Sequence, residues 1–202
     1  MTSTIVQKNV ISDYPRANTA RKKKPMVTVE DFENWQKTHH SDYNYEFYYG
    51  QKTKKQAIRQ AAFFIVKFLT RKFTHTKAHK QLGELAVQVD TYIDIFRKRV
   101  PDLAFFTSSQ INAAFLGDKV VPAFTIEILS DSESFSDVAN KIKDYFDAGV
   151  QLVWYISPKL QCIYAYTSPK EIKVYQGTDH CQAKPVLEDF SFVTEELFKM
   201  PI

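Results

Sequence analysis

PDLAFF at 101–106, VVPAFTIEILSDSES at 120–134 and SDVANKIKDYFDAGV at 136–150 decide the fold of this chain. The first two hold apolar runs rich in β-branched and aromatic residues, the composition of strands. The third repeats apolar residues at helical spacing and runs into Gly149, a good stop residue. Each strand-like run carries one carboxylate, Asp102 beside Pro101 and Glu127 inside FTIEIL, and the helical run carries Lys141.

Two carboxylates and a lysine are the residue types of a metal-dependent hydrolase. A hard dication such as magnesium takes oxygen ligands and uses only one or two protein carboxylates, leaving the rest of its shell to water and substrate phosphate. Asp102 and Glu127 would supply that pair. A bound metal polarises a phosphoryl oxygen and acidifies a water, while a neighbouring ammonium orients that water or offsets charge on phosphorus. Lys141 is the candidate ammonium. On a helix Asp137, Lys141 and Tyr145 fall at i, i+4 and i+8, on one face that could look toward Glu127.

YEFYYG at 45–50, then PDLAF, IEILSDSES, and the run D-x-x-x-K-x-x-x-Y-x-x-x-G-V from 137 to 150 together resemble the Uma-type family, domain of unknown function 820. That family is placed in the PD-(D/E)XK restriction-endonuclease-like superfamily. The resemblance runs from about Val27 to about Tyr175, with its motifs in order. It implies a catalytic set of Asp102, Glu127 and a lysine, with Glu46 as a further acid. In the superfamily's usual motif the lysine stands two residues after the Glu, where this chain has Leu129. The family pattern permits its move to the helix, at Lys141. Lys143 would point about 200° away around the helix. The family continues past the early strand with a second strand and a polar loop. This chain is expected to pass almost at once into a helix, QKTKKQAIRQAAFFIVKFLTRKF, which shortens or removes that hairpin.

Taken singly, each residue also has a structural reading. An Asp after Pro at a strand start is commonly a turn or edge residue. Glu127 could face outward, because alternation sets it opposite Ile126 and Ile128. Otherwise, in so apolar a run, it needs a partner or a metal. Lys141 could be a solvated helix charge. A cross-strand ion pair would explain Glu46 as well.

The 202 residues suit one domain, expected over 27–202, behind a basic N-terminal arm at 1–26. The arm carries six basic residues against Asp13 alone, and polar basic arms of this kind are flexible. Its charge exceeds the net +4 of the whole chain, so the remainder is slightly acidic. Within that remainder, residues 51–80 hold nine Lys or Arg and no acid. A segment so one-sided could attract a polyanion. The alternative is a solvated helix face. Lys54, Lys55 and Arg59 from this segment, with Arg97, Lys98 and Arg99 in a basic turn near Asp102, are the candidate phosphate contacts. Such contacts would show as salt-sensitive binding.

The helix after residue 51 has Ile58, Ala61, Ala62, Ile65, Phe68 and Leu69 at helical spacing, which marks its core face. Thr28 with Asp31 three residues on reads as an earlier helix start. QLVWYIS, CIYAYT and EIKVY read as successive strands, and a short helix near 194–198 closes the chain. No apolar run reaches the roughly 18 to 20 residues needed to cross a bilayer, and no signal-peptide core precedes the domain. A soluble, cytoplasmic protein is expected. Cys162 and Cys181 lack metal-ligand spacing and read as free thiols.

The fold class expected is α/β and restriction-endonuclease-like: a central mixed β-sheet flanked by helices, with an αβββαβ core and a late meander. The function expected is a Mg2+-dependent (or Mn2+-dependent) nuclease hydrolysing phosphodiester bonds in DNA. The alternative is a catalytically inactive module of the same fold that binds nucleic acid or protein. A metal hydrolase of another substrate is a third reading, and the lack of a phosphate-binding glycine loop argues against nucleoside triphosphates. A homodimer is expected only by analogy with nucleases of this fold, which pair to cut two strands.

Overall fold

The computed structural model describes residues 28–39, 43–58, 60–130 and 133–199. The basic arm and Arg59 therefore lie outside the described residues. Helix α1 (Val29–Thr38) begins at the expected cap, with the Thr28 side chain accepting from the Asp31 N–H and Asp31 accepting from the Thr28 N–H. Strands β1 (Tyr45–Tyr48) and β2 (Gln51–Lys54) follow as an antiparallel hairpin. This corrects the expectation of a helix almost at once from Gln51: the hairpin expected to be shortened or removed is present, with four residues in each strand. Tyr49 at φ 44° and Gly50 at φ 85° both take the left-handed region. Two successive positive φ values are what a tight hairpin turn requires, and their twist matches that of the flanking strands. The charged β2 sequence QKTK disguises the strand, since all four residues are exposed and it has no apolar alternation to show.

Helix α2 is correspondingly shorter, Gln60–Phe73, and buries Ile65, Leu69 and Phe73 along the expected face. Then come α3 (Lys77–Lys80), β3 (Glu84–Val87), β4 (Thr91–Asp94) and β5 (Arg97–Arg99). Arg97–Arg99 is a strand and not the basic turn expected of it. The turn is at Ile95 and Phe96, where the Asp94 carboxylate accepts from the Phe96 N–H at 2.8 Å. β6 (Leu103–Phe106), α4 (Ser108–Phe115), β7 (Phe124–Ile128), α5 (Phe135–Asp147), β8 (Leu152–Ser157), β9 (Cys162–Ser168) and β10 (Glu171–Gln176) complete the central part. β11 (His180–Ala183), β12 (Leu187–Val193) and a 3-10 turn (Thr194–Leu197) end the described chain.

Six strands form the central sheet in the order β10-β9-β8-β7-β6-β3. β7 and β8 run parallel and the other neighbours antiparallel, so the sheet is mixed. The parallel pair follows from connectivity, because α5 carries the chain from the end of β7 back to the start of β8. Taken without the insertions, α2-β3-β6-β7-α5-β8 is the expected αβββαβ core. A second sheet, β2-β1-β5-β4, packs with α1 through Val29, Phe32 and Phe47.

Alternation divides the two faces of the central sheet. Phe124, Ile126, Leu152, Trp154 and Ile156 pack toward α2 and the β11–β12 hairpin. Val153 and Tyr155 pack with Ile142 and Tyr145 of α5 on the other side. Glu127 lies one residue from Ile126 and faces α5, so it is not the outward-facing strand residue that alternation alone allowed. Leu103 and Ile126, the neighbours of Asp102 and Glu127, are fully buried. Each such side chain contributes about 1.5–3 kcal/mol, which anchors the backbone from which the carboxylates project.

Candidate active site

Asp102 precedes β6 and Glu127 is the fourth residue of β7. The two strands pair antiparallel with Leu103 opposite Ile126, and one step along that register brings Asp102 beside Glu127. Neither carboxylate faces open water: Asp102 is 7% exposed and Glu127 1%. Asp102 Oδ2 accepts from the backbone N–H of Ile128 at 2.8 Å. That leaves Oδ1 for the cavity, where the Lys55 ammonium lies 3.3 Å away. Glu127 Oε2 lies 3.0 Å from the same nitrogen, and Oε1 accepts from the Tyr145 hydroxyl at 2.6 Å.

Lys141 reaches the cluster from α5. Its Nζ is 3.5 Å from Glu127 Oε1, 3.6 Å from Glu46 Oε1 and 3.0 Å from Glu133 Oε1. Tyr145, one turn further on, points the same way, so the shared helix face is real for these two residues. Asp137 is not part of it: its carboxylate accepts from Ser134 and caps α5. Glu46 projects from β1 and accepts from Arg99 Nη1 at 3.1 Å. Arg99 continues to Asp144 of α5, with Nε at 2.8 Å from Oδ2, and Arg97 also pairs with Asp144. A chain of ion pairs therefore ties β1, β5 and α5 together behind the cavity.

Burial makes these pairings obligatory, because an isolated carboxylate loses far more in leaving water than a lone ammonium neighbour returns. At Glu127 burial opposes the charge, yet Lys55, Lys141 and the Tyr145 hydroxyl outweigh it and hold the carboxyl below its usual range. At Asp102 burial and the adjacent Glu127 charge prevail over Lys55, and the carboxyl is pushed up. Burial likewise opposes the ammonium of Lys55, but Glu127, Asp102 and Glu46 raise its pKa above the ordinary value. Lys141 is raised against the same cost by Glu127 and Glu46. Burial and the Glu127 charge push the Tyr145 phenol well up, so it remains a hydrogen-bond donor. Glu46, Lys55, Asp102, Glu127 and Lys141 line a cavity of about 710 Å3, together with the exposed side chains of Phe135 and Leu160.

The residues predicted as catalytic, Glu46, Asp102, Glu127 and Lys141, thus converge. The predicted phosphate contacts do not. Lys55 is inside the carboxylate cluster and not on an outer phosphate track. Arg97 pairs with Asp94, Asp144 and Asp147, Lys98 is 2% exposed and pairs with Asp90, and Arg99 bridges Glu46 and Asp144. These three are corrected from surface contacts to internal ion pairs, because β5 is an inner strand between β1 and β4. Among the described members of that set Lys54 alone keeps an exposed position, with its Nζ 3.1 Å from the Tyr43 ring centroid.

Residues 29–196 match the model of the Uma2 family, described as “Putative restriction endonuclease”. The chain belongs to that family. The resemblance read from its motifs is borne out. The Uma2 chain is also similar in structure to a “putative nuclease belonging to DUF820” from Anabaena variabilis ATCC 29413, known from a crystal structure. The two share 20% identity at a TM-score of 0.67, over 78% of this chain and 91% of the other. That likeness shows the restriction-endonuclease-like α/β fold. No curated protein matches. Among the described residues no helix is long and apolar enough to cross a membrane.

A divalent metal is what this family's resemblance to nucleases implies, and the donor chemistry can be tested on the side chains present. Among the described residues no cluster of three or more His, Cys, Asp or Glu is poised around one point. Magnesium does not need one, since it commonly uses one or two carboxylates and fills its shell with water and phosphate. Asp102 Oδ1 and Glu127 Oε2 already share a single cation, the Lys55 ammonium. Two anionic oxygens converging on one positive charge fit a hard dication.

Proposed function

We propose that this Uma2 chain is a magnesium-dependent nuclease (manganese being the alternative ion) that hydrolyses phosphodiester bonds in DNA. The observation that carries the reading is the convergence of Asp102, Glu127, Glu46 and Lys141 from four separate elements on one cavity. Family membership and the fold support a nuclease; the ion and the DNA substrate are read from the donor set and the cavity's charges.

Asp102 and Glu127 would hold the metal, the first oriented by the Ile128 N–H and the second by the Tyr145 hydroxyl. When bound, magnesium supplies positive charge that polarises a phosphoryl oxygen and favours ionisation of water. Lys141 stands beside Glu127 as a protonated donor, able to orient a water or to offset charge developing on phosphorus. Glu46 and Glu133 keep that ammonium in place, and Arg99 keeps Glu46 in place. Hydrolysis consumes one water, breaks one P–O bond and leaves a phosphomonoester and a hydroxyl. Lys54, exposed on the rim, supplies charge for the flanking backbone.

Calorimetric titration of magnesium into the full chain, Asp102→Asn and Glu127→Gln tests the metal assignment. Binding in the parent and its loss in both variants is expected. Undiminished binding in both variants would remove Asp102 and Glu127 from the metal. A second reading, a module of the same fold without catalysis, is favoured by one observation: Lys55 already pairs with both carboxylates.

A further inference from the structure

Lys55 occupies a particular place in the cluster. Its backbone N–H donates to Asn44 O at 2.8 Å, which fixes the start of the irregular segment 55–58 against the chain entering β1. From there the side chain turns inward and is almost fully covered, whereas Lys54 beside it is exposed. Each metal-ligand candidate has one oxygen engaged by the fold: Asp102 Oδ2 by the Ile128 N–H, and Glu127 Oε1 by Tyr145. The remaining oxygens, Asp102 Oδ1 and Glu127 Oε2, both go to Lys55 Nζ. Lys141 does not compete for them, since it meets Glu127 through Oε1 and is held by Glu46 and Glu133.

We infer that Lys55 is a tethered counter-ion seated where the divalent metal binds, exchanged for that metal when nucleic acid enters, its released ammonium then pairing with a substrate phosphate. The inference rests on the nuclease reading above. A dication and an ammonium cannot share the same two oxygens, because like charges a few ångströms apart repel strongly in a place shielded from water. Metal entry therefore expels Lys55, whose flexible four-carbon stem allows it to swing. Expelled, it leaves two of its carboxylate partners behind and stands unpaired at the wall of the cavity. A phosphate group is the anion that removes this cost. Metal and nucleic acid should each favour the other's binding, with the same coupling in both directions.

Calorimetric titration of magnesium into the parent chain and Lys55→Met, with and without a phosphorothioate oligodeoxynucleotide, tests this. The parent is expected to bind magnesium weakly alone and roughly tenfold more tightly with the oligonucleotide, within the usual range of coupling between sites. Lys55→Met is expected to bind magnesium alone roughly tenfold more tightly than the parent and to gain little from the oligonucleotide. Equal magnesium affinity of parent and variant, with the same gain from the oligonucleotide, overturns the role of Lys55 and leaves the nuclease reading standing. No magnesium binding by either, with or without oligonucleotide, overturns both. Removing Lys55 also leaves two buried carboxylates unpaired, so thermal melting of the variant is followed across a magnesium titration. A melting temperature that is low without magnesium and rises more steeply than the parent's supports the exchange. A variant whose fold magnesium does not restore overturns it.

Discussion

Replacing Arg99 by Met separates two readings of the basic run at 97–99. If Arg99 contacted phosphate, the variant would fold normally and lose salt-sensitive binding to nucleic acid. In the structure Arg99 is 9% exposed, and its guanidinium donates to Glu46 Oε2 at 3.1 Å and to Asp144 Oδ2 at 2.8 Å and reaches no outer surface track. Methionine fills a similar volume but leaves Glu46 with Lys141 and the Val100 N–H, and Asp144 with Arg97 as its remaining cation among the described residues. Breaking a buried pair by removing one partner costs about 3–5 kcal/mol. Against a total stability of about 5–15 kcal/mol this is a large share. In a domain of this size it lowers the melting temperature by roughly 6–20 °C. Urea unfolding followed by tryptophan fluorescence measures it, as a lower midpoint with an unchanged slope. A loss under about 1 kcal/mol, the range of surface ion pairs, would refute the reasoning.

Four further outcomes are expected. Tyr145→Phe removes only the hydroxyl that donates to Glu127 at 2.6 Å, and should cost about 1.5–3 kcal/mol in urea unfolding, as for a hydrogen bond to a charged group. Glu127 has its carboxyl held below its usual range, so its contribution is complete above the unfolded value of 4.5 and is lost as pH falls through the folded one. Without Tyr145's donor the folded value rises, and acid unfolding of Tyr145→Phe should begin at a higher pH than in the parent. Gly50→Val places a β-branched residue at φ 85° where no neighbour lies within 4 Å of the new Cβ, so the cost is conformational, about 1–2 kcal/mol in the same assay. Burial pushes the Cys181 thiol far up, so it should resist a thiol reagent at pH 8 in the native protein and react at once in denaturant.

The sequence carried the parts of this account that depend on local chemistry. The capping box at Thr28, the stop at Gly149 and the apolar face of α2 are each set by a few neighbouring residues, and all are found in place. Asp102 and Glu127 stood out because a carboxylate in an apolar strand run needs a reason. Lys55 reads only as a phosphate contact like Lys54, since QKTKK has no periodicity and its lysines differ only in the backbone direction set by the Tyr49–Gly50 turn. Lys54 thereby faces out and Lys55 in. Arg97–Arg99 misled for a related reason: three adjacent cations read as surface, and only the pairing of β5 between β1 and β4, with Asp144 arriving from a distant helix, makes them internal. The β11–β12 hairpin was equally silent, because HCQA and LEDFSFV gain their role from Cys181, Phe190 and Phe192 packing beneath Trp154 and α2.

The most direct test of the central claim is cleavage of DNA by the full chain in the presence of magnesium, compared with Asp102→Asn, Glu127→Gln and Lys141→Met. The account predicts cleavage that chelation abolishes and that each of the three substitutions removes while the variants remain folded. Cleavage that survives all three substitutions, or a folded parent that binds DNA and magnesium and cuts nothing, would contradict it.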